Sequence, residues 1–226
     1  MNELYLAVIK GSEDDVRSVL KGVSKRELNE PVFGKKWSAL TVAIRTNRME
    51  IAQVLIDHGA DVDSCASPDS DGFLGSTPPL LIASSDGRVD VVEFLLRNGA
   101  DVNVKNNEGQ NALMFCAAKY RDSLNRDVVD ALLRAGINVH DKDANGNTAL
   151  HYACKSESEE MVRLLAGDFN VSPWVANLAG VKPIDLASSD EIRQFFSGLV
   201  LDEIVGDFSD GACTKSPSFK SSPSPF

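Results

Sequence analysis

Apolar residues recur along this chain in short helical stripes, and the same polar punctuation closes each of them. Residues 54–62, 94–102 and 131–139 carry three copies: an apolar pair (Leu55-Ile56, Leu95-Leu96, Leu132-Leu133) and then a glycine (Gly59, Gly99, Gly136). The apolar pair finishes a helix, and the glycine falls where the chain must turn with positive φ, a conformation that only glycine adopts cheaply. The phrase predicts a helix stop. A second pattern predicts the matching helix start, most fully in Asn145-Gly146-Asn147-Thr148-Ala149-Leu150-His151-Tyr152-Ala153. There Gly146 permits a tight turn, the Thr148 hydroxyl can cap the first helical turn, and Leu150 and Ala153 share one face. Weaker copies begin at Trp37, Thr77, Gly109 and Gly180.

Turn, short helix, loop, longer helix and glycine stop make one unit of about 33 residues, the length of an ankyrin repeat. Residues 88–103 and 146–153 match that family's pattern most closely, G-x-T-P-L-H-x-A followed by G-H-x-x-V-V-x-L-L-x-x-G-A-D-V-N, so the chain resembles the ankyrin-repeat family. The resemblance implies an all-α solenoid of helix-turn-helix units with β-hairpin-like loops, about five to six repeats, over residues 1–205. The units are expected at 1–32, 33–72, 73–105, 106–142, 143–176 and a shortened cap at 177–200. Residues 206–226 form a Ser/Pro-rich tail whose composition predicts disorder.

Small residues of the first helices, at Ala7, Ala43, Ala83, Cys116, Ala153 and Ala187, are separated by 36, 40, 33, 37 and 34 residues. The excess is expected in three places: an extended finger at 64–75, a longer helix-to-helix link at 120–126 and an enlarged first hairpin at 25–33. Insertions in solenoids often fall on the binding face; long surface loops also cost little and can drift. In the fifth unit Asp168 stands where the stop glycine belongs and Gly167 comes one place early, and Trp174 is expected to plug that turn. The last helix is expected to be short, about 191–199.

Composition narrows the function classes. No apolar run approaches the ~20 residues that span a bilayer, and the N-terminal residues show no basic segment followed by an apolar one, so neither membrane insertion nor a secretory signal is expected. Cys116 and Cys154 occupy small-residue positions of first helices, Cys65 a loop and Cys213 the tail, which fits reduced thiols and a cytoplasmic and/or nuclear location. A net charge of −10 disfavours nucleic-acid binding and is compatible with a basic partner or with solubility alone. His58 closes a helix, His140 opens a hairpin, and His151 matches the family histidine whose ring bonds turn backbone. Ser12/Asp15 and Asn47/Glu50 have capping-box spacing, and Asp14, Glu159 and Glu160 read as first-turn residues. No catalytic triad, phosphate loop or zinc spacing appears, so no enzyme activity, cofactor or metal site is expected.

The resemblance implies a protein or peptide partner bound on the concave face, by positions flanking the hairpin glycine and the exposed end of each first helix. By repeat position these are Ile9 and Lys10; Lys35, Trp37, Arg45 and Thr46; Phe73, Leu74, Thr77, Ser85 and Asp86; Asn107, Glu108, Gln110, Ala118 and Lys119; Asn145, Asn147, Lys155 and Ser156. Trp37, Phe73 and Leu74 are large and apolar where packing does not require it, as interface anchors are; each could also cover its own loop. An adaptor or regulatory subunit is the leading reading, with a direct inhibitor of a partner enzyme as the alternative and a monomer as the expected state. Ser216, Ser222 and Ser224 precede prolines and are candidate phosphorylation sites, or belong to an inert tail. Asn103 occupies the hairpin position that asparaginyl hydroxylases modify in similar repeats; a structural hydrogen bond explains it equally.

Overall fold

The computed structural model describes residues 3–30, 37–64, 77–119 and 124–209. Among these the regular elements are all helical. The first helices of the units are α1 (Glu3–Lys10), α4 (Ala39–Arg45), α6 (Pro79–Ser85), α8 (Ala112–Lys119), α10 (Ala149–Lys155) and α12 (Pro183–Leu186). They stack on one another as an inner row. An outer row is made by α2 (Glu13–Leu20), α5 (Met49–Asp57), α7 (Val89–Arg97), α9 (Leu124–Arg134), α11 (Glu159–Val162) and α13 (Asp190–Ser209), each packed on its own inner partner or its neighbour. A separate short helix, α3 (Lys25–Asn29), lies between the first two units.

The two rows bury different amounts because they have different neighbours. An inner helix is sandwiched between two inner helices and its own outer helix, so α4 buries every residue from Ala39 to Ile44. Ala43, Ala83, Cys116 and Ala153 are at most 1% exposed, and a larger side chain there would push the stack apart. An outer helix has one solvent side and buries a single stripe, Val91, Val92 and Leu95 in α7, Val128, Val129 and Leu132 in α9.

Gly59, Gly99 and Gly136 take φ of +93°, +88° and +86°, and the following residue closes the helix end by donating to Leu55, Leu95 and Leu132. The fifth unit departs from expectation. Gly167 is not its stop: the helix continues through a π turn at Arg163–Asp168, and Asn170 takes the left-handed φ of +50°. Val171 N–H then donates to Leu165 O at 2.9 Å, one residue further back than in the other units, so the π turn absorbs a single extra residue.

Other expectations change as well. The residues at 25–29 form α3, capped by a Ser24–Glu27 box, rather than widening a hairpin. Leu124, Asn125 and Arg126 are not link but the first turn of α9, which has 11 residues against 9 in α5 and α7. The final helix runs from Asp190 to Ser209, well past Leu199, because the apolar pattern continues through Leu201, Ile204 and Val205. Ser12 forms the predicted box with Asp15, but Asn47 does not cap α5: it adopts φ of +59°, and Arg48 takes the cap position. Lys35, Phe73, Leu74, most of the 64–75 finger, Tyr120 to Ser123 and the serines at 216, 222 and 224 lie outside the described residues.

Candidate functional site

The hairpin tips at 106–110, 143–147 and 177–181 are built alike. Asn106, Asp143 and Asn177 each use Oδ1 to accept two backbone N–H groups, from the residues two and four places on. This closes a turn in which Gly109, Gly146 and Gly180 take φ of +76°, +80° and +78°. Successive tips also bond to each other, Ala144 N–H to Glu108 O at 2.8 Å and Leu178 N–H to Asn145 O at 2.9 Å. The tips thus form a continuous ladder beside the inner helices.

Two clefts open along the inner row, the second of them beside that ladder. One, of about 200 Å³, joins Arg45, Thr77, Ile82, Ser85, Asp86, Phe115 and Lys119. The other, of about 340 Å³, joins Asn145, Asn147, His151, Tyr152, Lys155, Asn177, Val181 and Leu186. Arg45, Asp86 and Lys119 are therefore brought together from positions dozens of residues apart, and Asn145, Asn147 and Lys155 from within a single unit. Asn107 is exposed at its tip and lines neither cleft.

Trp37 is half-buried against the core, and the Arg45 guanidinium lies over its ring at 4.4 Å from the centroid. The two residues act as one surface, an arrangement favoured by the electron-rich ring face. Gln110 and Asn147 are largely committed to their tips. Gln110 Nε2 donates to the Tyr152 hydroxyl at 2.7 Å, and Gln110 Oε1 accepts from Asn106 Nδ2 at 2.9 Å. Asn147 donates to Asp143 Oδ2 at 3.1 Å and accepts from Asn177 Nδ2 at 2.7 Å. Asn103 likewise has a structural task, its Oδ1 accepting from Asn138 N–H at 2.8 Å.

Asp143 is the hub of the second cleft. Burial opposes its ionisation, but the Tyr152 hydroxyl at 2.7 Å, the Asn147 side chain and the backbone N–H groups of Asn147 and Asn145 together hold its pKa below the usual carboxylate value. Tyr152 is pushed up to about 12, first by burial and then by its bond to Asp143. His151 is lowered, mainly by burial and also by the Lys142 charge, against the Val181 carbonyl and the Asp143 charge. Its Nδ1 accepts from Thr148 N–H at 3.1 Å, so Nε2 carries the proton and faces Val181 O at 3.2 Å. Both ring nitrogens serve the fold. Cys116 and Cys154 are buried free thiols held at about 12 by burial, which keeps them protonated and unreactive.

Sequence reasoning missed the side chains that floor the clefts: Ile82, Phe115 and Tyr152. Their signal is positional, since each immediately precedes a small anchor, Ala83, Cys116 or Ala153. It also missed Leu178, which is 81% exposed at the last tip. Trp174 does not plug the fifth turn: it is 45% exposed, whereas Val171 is the buried apolar residue of that segment. Among the described residues no helix is long and apolar enough to cross a membrane.

A family profile for ankyrin repeats matches three copies over residues 4–106 and 80–177, more than half of the chain. The ankyrin repeat and KH domain-containing protein mask of Drosophila melanogaster is 37% identical over 76 residues, 34% of this chain and 2% of that protein. The E3 ubiquitin-protein ligase KEG of Arabidopsis thaliana is 32% identical over 116 residues, 48% of this chain and 7% of that protein. The transient receptor potential cation channel subfamily V member 1 of Canis lupus familiaris is 30% identical over 91 residues, 36% and 11% respectively. The chain spans only a small part of each of these relatives, and each match lies in the repeats.

Proposed function

The chain belongs to the ankyrin-repeat family, whose repeats are protein-interaction modules, and we propose that it is a non-catalytic adaptor or regulatory subunit gripping a protein partner on its concave face. The observation that carries this reading is the pair of clefts along the inner row. Arg45, Asp86, Lys119, Asn145 and Lys155 line them and are exposed. Such residues are what stacked repeats leave available for recognition.

A second surface favours the adaptor over a direct inhibitor. On the outer row a shallow cleft of about 190 Å³ lies between α7 and α9, lined by Glu93, Leu96, Arg97, Ala131 and Arg134. An adaptor holds two partners at once; an inhibitor has use for one face. The buried reduced thiols Cys116 and Cys154 are in keeping with a cytoplasmic or nuclear setting.

Affinity purification with quantitative mass spectrometry tests the reading, comparing wild type with Trp37→Ala, Phe73→Ala and Arg45→Glu and with the outer-row variant Arg97→Glu. Loss of one partner set with the concave variants and of another with Arg97→Glu is the expected adaptor result. Partner lists identical across all variants would remove both surfaces from consideration.

A further inference from the structure

The charges of this chain are sorted by the stack. Four inner helices end on an exposed cation, Lys10 in α1, Arg45 in α4, Lys119 in α8 and Lys155 in α10, and α4, α6, α8 and α10 carry no acid in their first turn. Every outer helix does begin with acid: Glu13, Asp14 and Asp15 in α2, Glu50 in α5, Asp90 in α7, Asp127 in α9, Glu159 and Glu160 in α11, Asp190 and Glu191 in α13. The helix dipole accounts for each charge at its own helix end. Stacking converts those local preferences into two separate strips. A protein of net charge −10 thereby presents Lys10, Arg45, Lys119 and Lys155 at the ends of its inner helices, apart from Arg17, Arg97 and Arg134, which close outer helices.

We propose that the concave groove takes an extended peptide segment of a partner rich in aspartate and glutamate. The inference rests on the concave-face reading above and adds the chemistry of the partner. Overall charge alone suggests a basic partner, which the groove opposes at Arg45, Lys119 and Lys155. Neighbouring inner helices lie about 8–10 Å apart and an extended chain advances about 3.3 Å per residue, so one repeat matches about three peptide residues. Carboxylates about three residues apart then face Lys119 and Lys155. A further one about six residues away faces Arg45, because the third unit offers Asp86 in place of a cation. The peptide position opposite Asp86 is neutral or basic. The side-chain amide of Asn145, at the exposed rim of the second cleft, is available to the peptide backbone.

Fluorescence anisotropy on the full chain tests this with two labelled Gly/Ser peptides, one carrying glutamates about three and six residues apart and one carrying lysines at the same positions. The expected result is binding of the glutamate peptide alone, weakened by salt, reduced about tenfold by Lys119→Glu with Lys155→Glu, and partly retained by Lys155→Gln. Those side chains are exposed, so circular-dichroism melting should confirm intact folding. Equal or stronger binding of the lysine peptide, or glutamate binding indifferent to the charge reversals, overturns the proposal.

Selection of random phage-displayed peptides on the same chain separates this failure from failure of the underlying reading. Neutral or basic winners abolished by Asn145→Arg remove the acidic partner and leave the concave site. Winners that bind the Asn145→Arg and charge-reversed chains undiminished, or no winners at all, remove both.

Discussion

Arg88 reaches back forty-four positions to donate from Nη1 to the carbonyl of Ile44 at 2.6 Å, while its other terminal nitrogen bonds Asn47 Oδ1. Arg48 makes the same move one unit earlier, donating to Val8 O at 2.9 Å and to Gly11 O. In both cases a cation at the start of an outer helix bonds a carbonyl near the end of the inner helix of the preceding unit. Ser156 does the corresponding work for the fourth and fifth units through Ala117 O at 2.7 Å.

These contacts cross unit boundaries, so removing one should loosen the stack rather than one helix. Arg88→Ala is expected to cost about 2 kcal/mol, since charge-assisted bonds to partly buried carbonyls are lost. Hydrogen exchange checks the location: amides of the second and third units should lose protection together. Loss confined to α7 would show the contact to be local.

Glycines give opposite signs depending on what surrounds them. At Gly99 an added Cβ meets nothing within 4 Å, so Gly99→Ala should cost only the left-handed backbone, about 1 kcal/mol. At Gly109 the same atom would sit 2.9 Å from Ala144 N, in the tip ladder, and Gly109→Ala should cost distinctly more. Gly167 lies inside the helix with Phe195 Cζ at 3.6 Å, so Gly167→Ala should stabilise by about 0.5–1 kcal/mol. Urea denaturation of the three variants orders them; a destabilised Gly167→Ala would mean that the π turn requires glycine.

The Asp143–Tyr152 pair sets two ends of a pH profile. The folded state lowers the Asp143 pKa, so its contribution is complete above the ordinary value of 3.8 and fades as pH falls through the lower folded value. The folded state raises Tyr152 to about 12, so that contribution is complete below the ordinary value of 10.0 and is lost as pH rises through about 12. Asp143→Asn should cost about 1–2 kcal/mol at neutral pH, with the difference from wild type shrinking below about pH 4. Tyrosinate absorbance should show one of the three tyrosines moving down toward 10.0 in that variant.

Cys116 and Cys154 should resist a thiol reagent in the native chain and react in urea, because burial keeps both thiols protonated near 12. Rapid native labelling of either, located by peptide mapping, would contradict their place in the inner row.

Helix stops at Gly59, Gly99 and Gly136 and the box at Ser12 and Asp15 were legible because each depends on the φ preference or hydrogen bond of residues within one turn. The same locality misled at Gly167: a stop one place early looks displaced, whereas the helix keeps its length register by widening one turn. At Asn47, capping spacing could not show that the residue itself takes the left-handed turn. The repeat period and the positions of Arg45, Lys119 and Lys155 also followed from sequence alone. Only the tertiary structure decided that Arg45 lies over Trp37, that Gln110 and Asn147 are held by the tips, and that Tyr152 and Phe115 floor the groove. Those relations join side chains from different units, and their geometry is set by how one helix pair seats on the next, which no single stretch of sequence encodes.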